Sequence, residues 1–426
     1  MIRRPAYFVG VIVLACFSAL LGMPGCAITR PSLTKDQLEQ RRVEYFKETA
    51  LELNDASRKL AGRIKSKWDA YRAGRTATPP ELDILIISGG GTKGAFGASF
   101  LDAWGSVTDP ALSRPDFDVV TGVSTGAIIA PFAFIGDEST YHHIADLYAE
   151  PKDDWVKLRD IFFFLPGRES FLNISGLQKE ITAAFGPEVI HQVAERSKEG
   201  RVLAVGATNL DLGILKPWYL GAQCEIADQT GDPSRVHKII MASSAIPAAF
   251  PPVVIDDTLY VDGGTTSNIL FDADLRAPGG LLKVLNELYP GVPPPKIRYW
   301  VVINNQLGAA PRIVQPTWVS ITASSIETAI RSSTIGALRQ LDMQLRSLRE
   351  KEGVDCELRF VAIPGDWRAP KQGLMFEKEN MQSLAEIGRR MGAKPESWRT
   401  NLADVPEATG RFVPEDLGSP VQKRTP

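Results

Sequence analysis

The chain of 426 residues is short of the side chains that most often announce a mechanism. It has four cysteines, Cys16, Cys26, Cys224 and Cys356, scattered and without a CxxC pair. A disulfide scaffold and a zinc-ribbon site are both excluded. It has four histidines, His142, His143, His191 and His237, and none follows His237. It lacks a charge excess: 48 Lys+Arg face 50 Asp+Glu, for a formal net charge of −2. No basic field draws in nucleic acid, and no nucleic-acid partner is expected. No internal repeat is present. Hydrophobic residues at 44% and charged residues at 23% exclude a disordered, collagen-like or multi-span membrane protein. No metal-ligand spacing occurs, so neither a metal nor a cofactor is expected.

The amino terminus reads as an address. Arg3 and Arg4 precede an uncharged, mostly apolar run, Ala6–Gly22, and then small residues and Cys26. This is the layout of a secretory signal peptide. Met23-Pro24-Gly25-Cys26 resembles a bacterial lipobox, with Gly25 fitting and Met23 and Pro24 atypical. The expectation is cleavage after residue 25, lipidation of Cys26 and a periplasm-facing, membrane-anchored lipoprotein. An uncleaved anchor or an ordinary secreted form is the alternative. Removing residues 1–25 takes away two arginines and no acid. The more anionic body then gains little from anionic lipid, and a covalent anchor is the more useful tether.

Residues 34–75 are charge-rich, with Leu38, Val43, Phe46, Leu51, Leu53, Leu60 and Ile64 on an imperfect helical stripe. They predict one long helix or two within a membrane-proximal spacer, residues 26–80, closed by the Thr76–Pro80 linker. A βα alternation follows. Strands are expected at Ile84–Ser88, Asp118–Gly122, Val202–Ala207, Leu259–Asp262, Tyr299–Asn304 and Glu357–Ile363. Helices are expected at Ala95–Trp104, Thr125–Ile135 and Phe376–Met391. A long helix is expected over Trp318–Glu350, striped by Ile326, Ile330, Leu338, Leu341, Leu345 and Leu348. The pattern predicts an α/β domain over 81–392, its sheet mostly parallel and covered on both faces. Residues 393–426 read as a polar tail.

Two motifs stand at strand-to-helix junctions. The first is Ser88-Gly89-Gly90-Gly91-Thr92-Lys93-Gly94. Glycines let backbone N–H groups converge on an anion. A P-loop is excluded because Lys93 is followed by Gly94 and Ala95. A dinucleotide turn, a hole for a transition-state oxyanion and a plain structural turn all remain open on this segment alone. The second is Gly122-Val123-Ser124-Thr125-Gly126, a GxSxG between a strand and a helix. That is the setting of a nucleophile elbow. The flanking glycines relieve crowding around a strained serine, and the helix amino terminus favours developing negative charge.

A serine hydroxyl needs a base. The order Ser…Asp/Glu…His of α/β-hydrolases is impossible with Asp262, since every histidine precedes it. His142, His143 and His191 fall in polar helices, and His237 begins an apolar segment. A carboxylate can serve directly. The candidate is Asp262 in Leu259-Tyr260-Val261-Asp262-Gly263-Gly264, where a turn or cap role is the competing reading.

Taken together these residues resemble the patatin-like phospholipase family. The GGGx[KR]G turn is matched by Gly89–Gly94, the GxSxG serine by Gly122–Gly126 and the DG[GA] aspartate by Asp262–Gly264. Ala242–Val253 is similar to the family's ASxAxPxxFPP stretch, and Asn268 and Ala207–Leu210 fit further positions. The resemblance covers residues 82–275 strongly and extends loosely to about 392. It implies a three-layer α/β/α fold and a Ser124–Asp262 dyad acting on an acyl ester of membrane or other lipid, with no metal. Gly89, Gly90 and Gly91 would form the oxyanion hole, the N–H groups of Gly90 and Gly91 holding the anion and Gly89 shaping the turn. Lys93, Gly94, Gly122, Gly126, Gly263 and Gly264 would support these motifs, Lys93 either adding positive potential or facing solvent. An acyltransferase using the same dyad and a non-catalytic envelope lipoprotein are the alternatives. The Phe162-Phe163-Phe164-Leu165 cluster reads as core packing or as a lipid contact.

Overall fold

The computed structural model describes residues 33–405, except 153, 159–169, 171, 273, 309–310, 312 and 372–374. Residues 1–25, Cys26, Phe162–Leu165 and residues 406–426 lie outside the described residues. A single helix, α1 (Lys35–Arg72), leads into β1 (Glu81–Ile87) and α2 (Gly94–Trp104). Then come β2 (Val119–Val123), α3 (Thr125–Ile135), α4 (Glu138–Ala149) and a small hairpin, β3 (Lys157–Leu158) with β4 (Leu172–Asn173). The middle of the chain holds α5 (Ser175–Ala184), α6 (Pro187–Lys198), β5 (Val202–Asn209), β6 (Ile214–Trp218), α7 (Leu220–Thr230) and α8 (Ser234–Ser243). The remainder is β7 (Val253–Ile255), β8 (Thr258–Asp262), α9 (Leu281–Leu288), β9 (Lys296–Gln306), α10 (Trp318–Glu352), β10 (Cys356–Ile363) and α11 (Lys378–Gly392).

Eight strands form one sheet in the order β10-β9-β1-β2-β5-β8-β7, with β6 also on β5. The run from β10 to β5 is parallel, whereas β6, β7 and β8 pair antiparallel. Side chains alternate between faces along each strand. Leu85 and Ile87 enter one core with α2, α3, α4 and α11. Ile84 and Ile86 enter a second core with α1, α9 and α10. A sheet apolar on both faces must be covered on both, and the result is the expected α/β/α sandwich. The antiparallel β6 and β7 were not legible. Both are short, and β6 carries Pro217, which an edge strand tolerates.

The helix expected within a spacer packs against the body. Leu60, Ala61 and Ile64 are buried in the second core. Asp118, just before β2, is fully buried and accepts from Arg63 Nε at 2.7 Å, Lys67 Nζ at 2.7 Å and the Asp83 N–H at 3.0 Å. Lys67 also donates to the Glu81 carbonyl. The expected stripe on α10 differs too. Ile335, Leu338, Leu341, Leu345 and Leu348 are buried, but Ile326 and Ile330 are only partly so.

The Arg63→Ala/Lys67→Ala double variant removes both cations that hydrogen-bond to the buried Asp118 carboxylate. Urea unfolding is expected to show a loss of about 3–5 kcal/mol. A loss within experimental error would mean that α1 does not depend on this contact.

Candidate active site

The site lies where β1, β2 and β9 end, at the carboxyl edge of the parallel strands. The chain leaves β1 for β2 on one side, and β9 returns on the other, so the edge opens a crevice. Ser124 follows β2 directly and caps α3, with φ 55° and ψ −123°. That backbone conformation strains a residue with a Cβ, and such strain costs about 1–3 kcal/mol. It persists because its surroundings fit only glycine. A Cβ on Gly122 would lie 2.2 Å from the Gly126 carbonyl oxygen, and one on Gly126 2.2 Å from the Ile87 carbonyl oxygen.

Sheet pairing brings Asp262 to this serine. One edge of β5 is taken by β6 along Val205–Asn209. The other edge pairs with β2 from Val202 to Gly206 and then with β8 from Ala207 to Asn209. Thus β2 and β8 abut end to end. Val123 stands opposite Gly206 and Asp262 opposite Ala207. Ser124 Oγ donates to Asp262 Oδ2 at 2.5 Å. Asp262 Oδ1 accepts from the Gly264 N–H at 2.8 Å, so Gly264 fixes the carboxylate plane. Gly263 fits at the joint, where a Cβ would lie 2.3 Å from the Gly206 carbonyl oxygen.

Both residues are buried, each at 5% exposure. Burial pushes the Asp262 carboxyl up to about 6, against the lowering pull of the Ser124 hydroxyl and the Gly264 N–H. Among the described residues no histidine lines the cavity at Ser124. His142 pairs with Asp102, His191 with Asp228, the His143 ring lies tilted against Phe132, and His237 bonds to the Phe185 carbonyl.

The glycine loop lies beside Ser124. Gly91 takes φ +57° and lines the same cavity as Ser124. The Gly89 N–H is committed to the Asn268 carbonyl at 3.2 Å. Gly89 therefore shapes the turn and offers no N–H to a substrate, which leaves Gly90 and Gly91 as the donors to consider. Lys93 does not face solvent freely. Its Nζ reaches Glu327 at 3.0 Å and Asn305 Oδ1 at 3.2 Å, tying the loop to α10. Gly94 packs against Thr125 and Tyr148.

Several supports carried no assigned role in the sequence reading. Ser243 Oγ accepts the Ser124 N–H at 3.0 Å and donates to the Gly206 carbonyl at 2.6 Å. The Asn268 and Asn305 amides both donate to the Gly89 carbonyl, at 3.3 and 3.1 Å. Asn304 donates to the Ser88 carbonyl at 2.9 Å. The available signal was two polar residues ending the apolar run Val301-Val302-Ile303.

The cavity at Ser124 is narrow, about 40 Å³, and its walls include Ile128, Leu177, Ile181, Ile246, Phe250 and Phe376. Elsewhere His191, Glu195 and Asp228 bring three ligand-type atoms within 4.8 Å of one another, a cluster the sequence spacing did not reveal. Lys198 also pairs with Glu195. Cys224 and Cys356 are buried, which pushes their thiols up to about 12 and about 11. Neither is a thiolate near neutrality.

With this geometry in place, residues 85–275 match the family model described as patatin-like phospholipase. This segment is similar to that family. It spans β1 to the loop after β8 and includes the glycine loop from Gly89, Ser124 and Asp262. The activity it indicates is lipid acyl hydrolysis. No curated protein matches the chain. Among solved structures, the crystal structure of VipD from Legionella pneumophila aligns with 12% identity and a TM-score of 0.34, over 76% of this chain and 68% of that one. Outside the matched segment, β9 and α10 supply Asn304, Asn305 and Glu327 to the same loop.

The raised carboxyl value has a stability consequence. The folded state holds the Asp262 proton more tightly than the unfolded chain. The stability from the neutral form is complete below the unfolded value of about 3.9 and is lost as pH rises through about 6. Asp262→Asn stays neutral throughout. Its Tm relative to the native chain is expected to be more favourable at about pH 8 than at about pH 4, read by thermal denaturation. An offset that does not change with pH would contradict the burial argument.

Proposed function

We propose that this protein is a serine acyl hydrolase of lipid esters that works through a Ser124–Asp262 dyad and an acyl-enzyme. The observation that carries the reading is the 2.5 Å Ser124–Asp262 hydrogen bond at the wall of an apolar cavity. The acyl chain lies along the apolar wall and its ester carbonyl meets Ser124 Oγ. Asp262 takes the Oγ proton as the C–O bond forms. The N–H groups of Gly90 and Gly91 stabilise the tetrahedral oxyanion. In other enzymes one such donor is worth about 10²–10³ in turnover. As the intermediate collapses, Asp262 returns the proton to the leaving alcohol. Water, deprotonated by the same carboxylate, then attacks the acyl-enzyme and releases the fatty acid. On the same reading, lipidated Cys26 tethers the enzyme to a membrane of the bacterial envelope.

Ser124→Ala and Asp262→Asn are each expected to lower fatty-acid release from an ester by at least about 10³-fold, with unchanged circular dichroism. A fluorophosphonate probe is expected to label the native chain and not Ser124→Ala. The kcat/KM of the native chain is expected to rise with pH through about 6 as Asp262 ionises. Native-level release by either variant would sink the dyad.

A further inference from the structure

Three donors converge on one carbonyl of the glycine loop. The Gly89 carbonyl oxygen accepts from Asn305 Nδ2 at 3.1 Å, from Asn268 Nδ2 at 3.3 Å and from Ser88 Oγ at 2.8 Å. The Ser88 hydroxyl is held in turn by the Asn304 N–H at 2.8 Å. A peptide unit is planar and trans, so the Gly89 carbonyl and the Gly90 N–H point in opposite directions within one plane. Whatever fixes the carbonyl fixes the N–H. Among the described residues no acceptor takes the N–H of Gly90 or of Gly91. This peptide is clamped on its carbonyl side and open on its N–H side.

Asn305 is the far-reaching member of the clamp. Ser88 is the neighbour of Gly89, and Asn268 already accepts the Gly89 N–H through its own carbonyl. Asn305 lies 216 positions away, as the penultimate residue of β9, and is buried at 8% exposure. Its amide has a second partner, since Oδ1 accepts from Lys93 Nζ at 3.2 Å. A carbonyl only accepts and an ammonium only donates, so a single orientation of the amide serves both. One side chain thereby joins the entry of the loop at Gly89 to its exit at Lys93. Glu327 holds the same ammonium from α10. Three successive glycines would otherwise leave the peptide free to turn, since glycine has few forbidden φ and ψ values.

We propose that Asn305 is a positioning residue for the oxyanion hole, holding the Gly89–Gly90 peptide so that the Gly90 N–H stays aimed at the oxyanion that forms at Ser124. The inference rests on the hydrolase reading, and it adds a residue from outside the matched segment, 85–275. Gly89 adjoins the serine, because a Cβ on it would lie 3.0 Å from Ser124 Cβ. A donor already oriented for the transition state costs no reorganisation during the reaction. The Lys93 ammonium at Oδ1 also polarises the Asn305 amide, which polarises the Gly89–Gly90 peptide in the sense that strengthens its N–H as a donor. Glu327 shares that ammonium, so orientation rather than charge is the larger effect. Asn305 acts through this peptide and not by contact with the ester. A residue that merely fastened the loop would add stability without favouring the transition state over bound substrate.

The test uses the full chain, a soluble short-chain ester and a trifluoromethyl ketone. When Ser124 adds to the ketone, an Oγ–C bond forms, the carbonyl π pair moves to the ketone oxygen and the Oγ proton passes to Asp262. That oxygen then carries the charge the hole must hold, with no leaving group to expel. Asn305→Ala is expected to fold, because Asn268 and Ser88 still donate to the Gly89 carbonyl. Its kcat on the ester is expected to fall about 10–100-fold with KM changed by less than about twofold, and its inhibition by the ketone to weaken by the same factor as kcat. Turnover is counted per site labelled by a fluorophosphonate, so unfolded chains do not enter the comparison. Asn305→Asp is nearly isosteric and keeps a partner for Lys93, but it turns a carboxylate towards the Gly89 carbonyl. It is expected to lose more than Asn305→Ala on both readouts, and it carries the test if Asn305→Ala does not fold. The proposal is overturned if Asn305→Ala keeps native kcat, if its kcat falls while ketone inhibition stays native, or if Asn305→Asp matches the native chain. A native chain that neither hydrolyses the ester nor binds the ketone sinks the hydrolase reading itself. A native chain that does both, beside an Asn305→Ala variant that does both equally well, sinks only the role of Asn305.

Discussion

One edge of one strand organises the site. β5 lends the same side first to β2 and then to β8, and the two strands meet end to end. The residue that follows β2 is Ser124 and the residue that ends β8 is Asp262. Residues 138 apart in sequence thereby come within one hydrogen bond. The joint tolerates no side chain at Gly263, which faces the Gly206 carbonyl and Val123. Backbone hydrogen bonds, rather than flexible side chains, set the distance between the two groups.

Around this joint, stability is traded for poise. Ser124 is held in a strained conformation, and Asp262 is buried with no cation beside it among the described residues. Burial keeps its carboxyl near neutrality in affinity for protons, which suits the general-base role proposed for it. The opposing forces are local. Ser243 bridges the Ser124 N–H to the Gly206 carbonyl, and the Asn268 and Asn305 amides converge on the Gly89 carbonyl. Two apolar cores, one on each face of the sheet, keep these anchors from moving independently.

The two long helices have contrasting relations to that core. The charged α1 looks like a separate spacer, yet it is fixed to the body because Arg63 and Lys67 neutralise buried Asp118. The apolar-striped α10 looks like a core helix throughout, yet Trp318 and Ile321 in its first turns are exposed and its buried leucines come later. Charge does not imply solvent exposure when a buried carboxylate waits for it, and an apolar stripe does not imply burial when the sheet ends beneath it. Among the described residues no helix is long and apolar enough to cross a membrane.

The local chemistry was legible in the sequence for a physical reason. Turns that need positive φ or close backbone approach demand glycine, so Gly89–Gly91, Gly122 and Gly126 mark the loop and the elbow directly. The scarcity and position of histidine pointed to a carboxylate base. Strands buried on both faces read as apolar runs, so the parallel sheet and Thr125–Ile135 were visible as well. What remained hidden depends on contacts between distant segments. Asn304, Asn305 and Ser243 are ordinary polar residues until the fold aims them at Ser88, Gly89 and Ser124. The antiparallel β6 and β7 are too short to carry a pattern. Sequence alone determined which residues had the chemistry and the turns for the proposed dyad. Tertiary structure decided that they meet, because that meeting depends on two strands sharing one edge of a third.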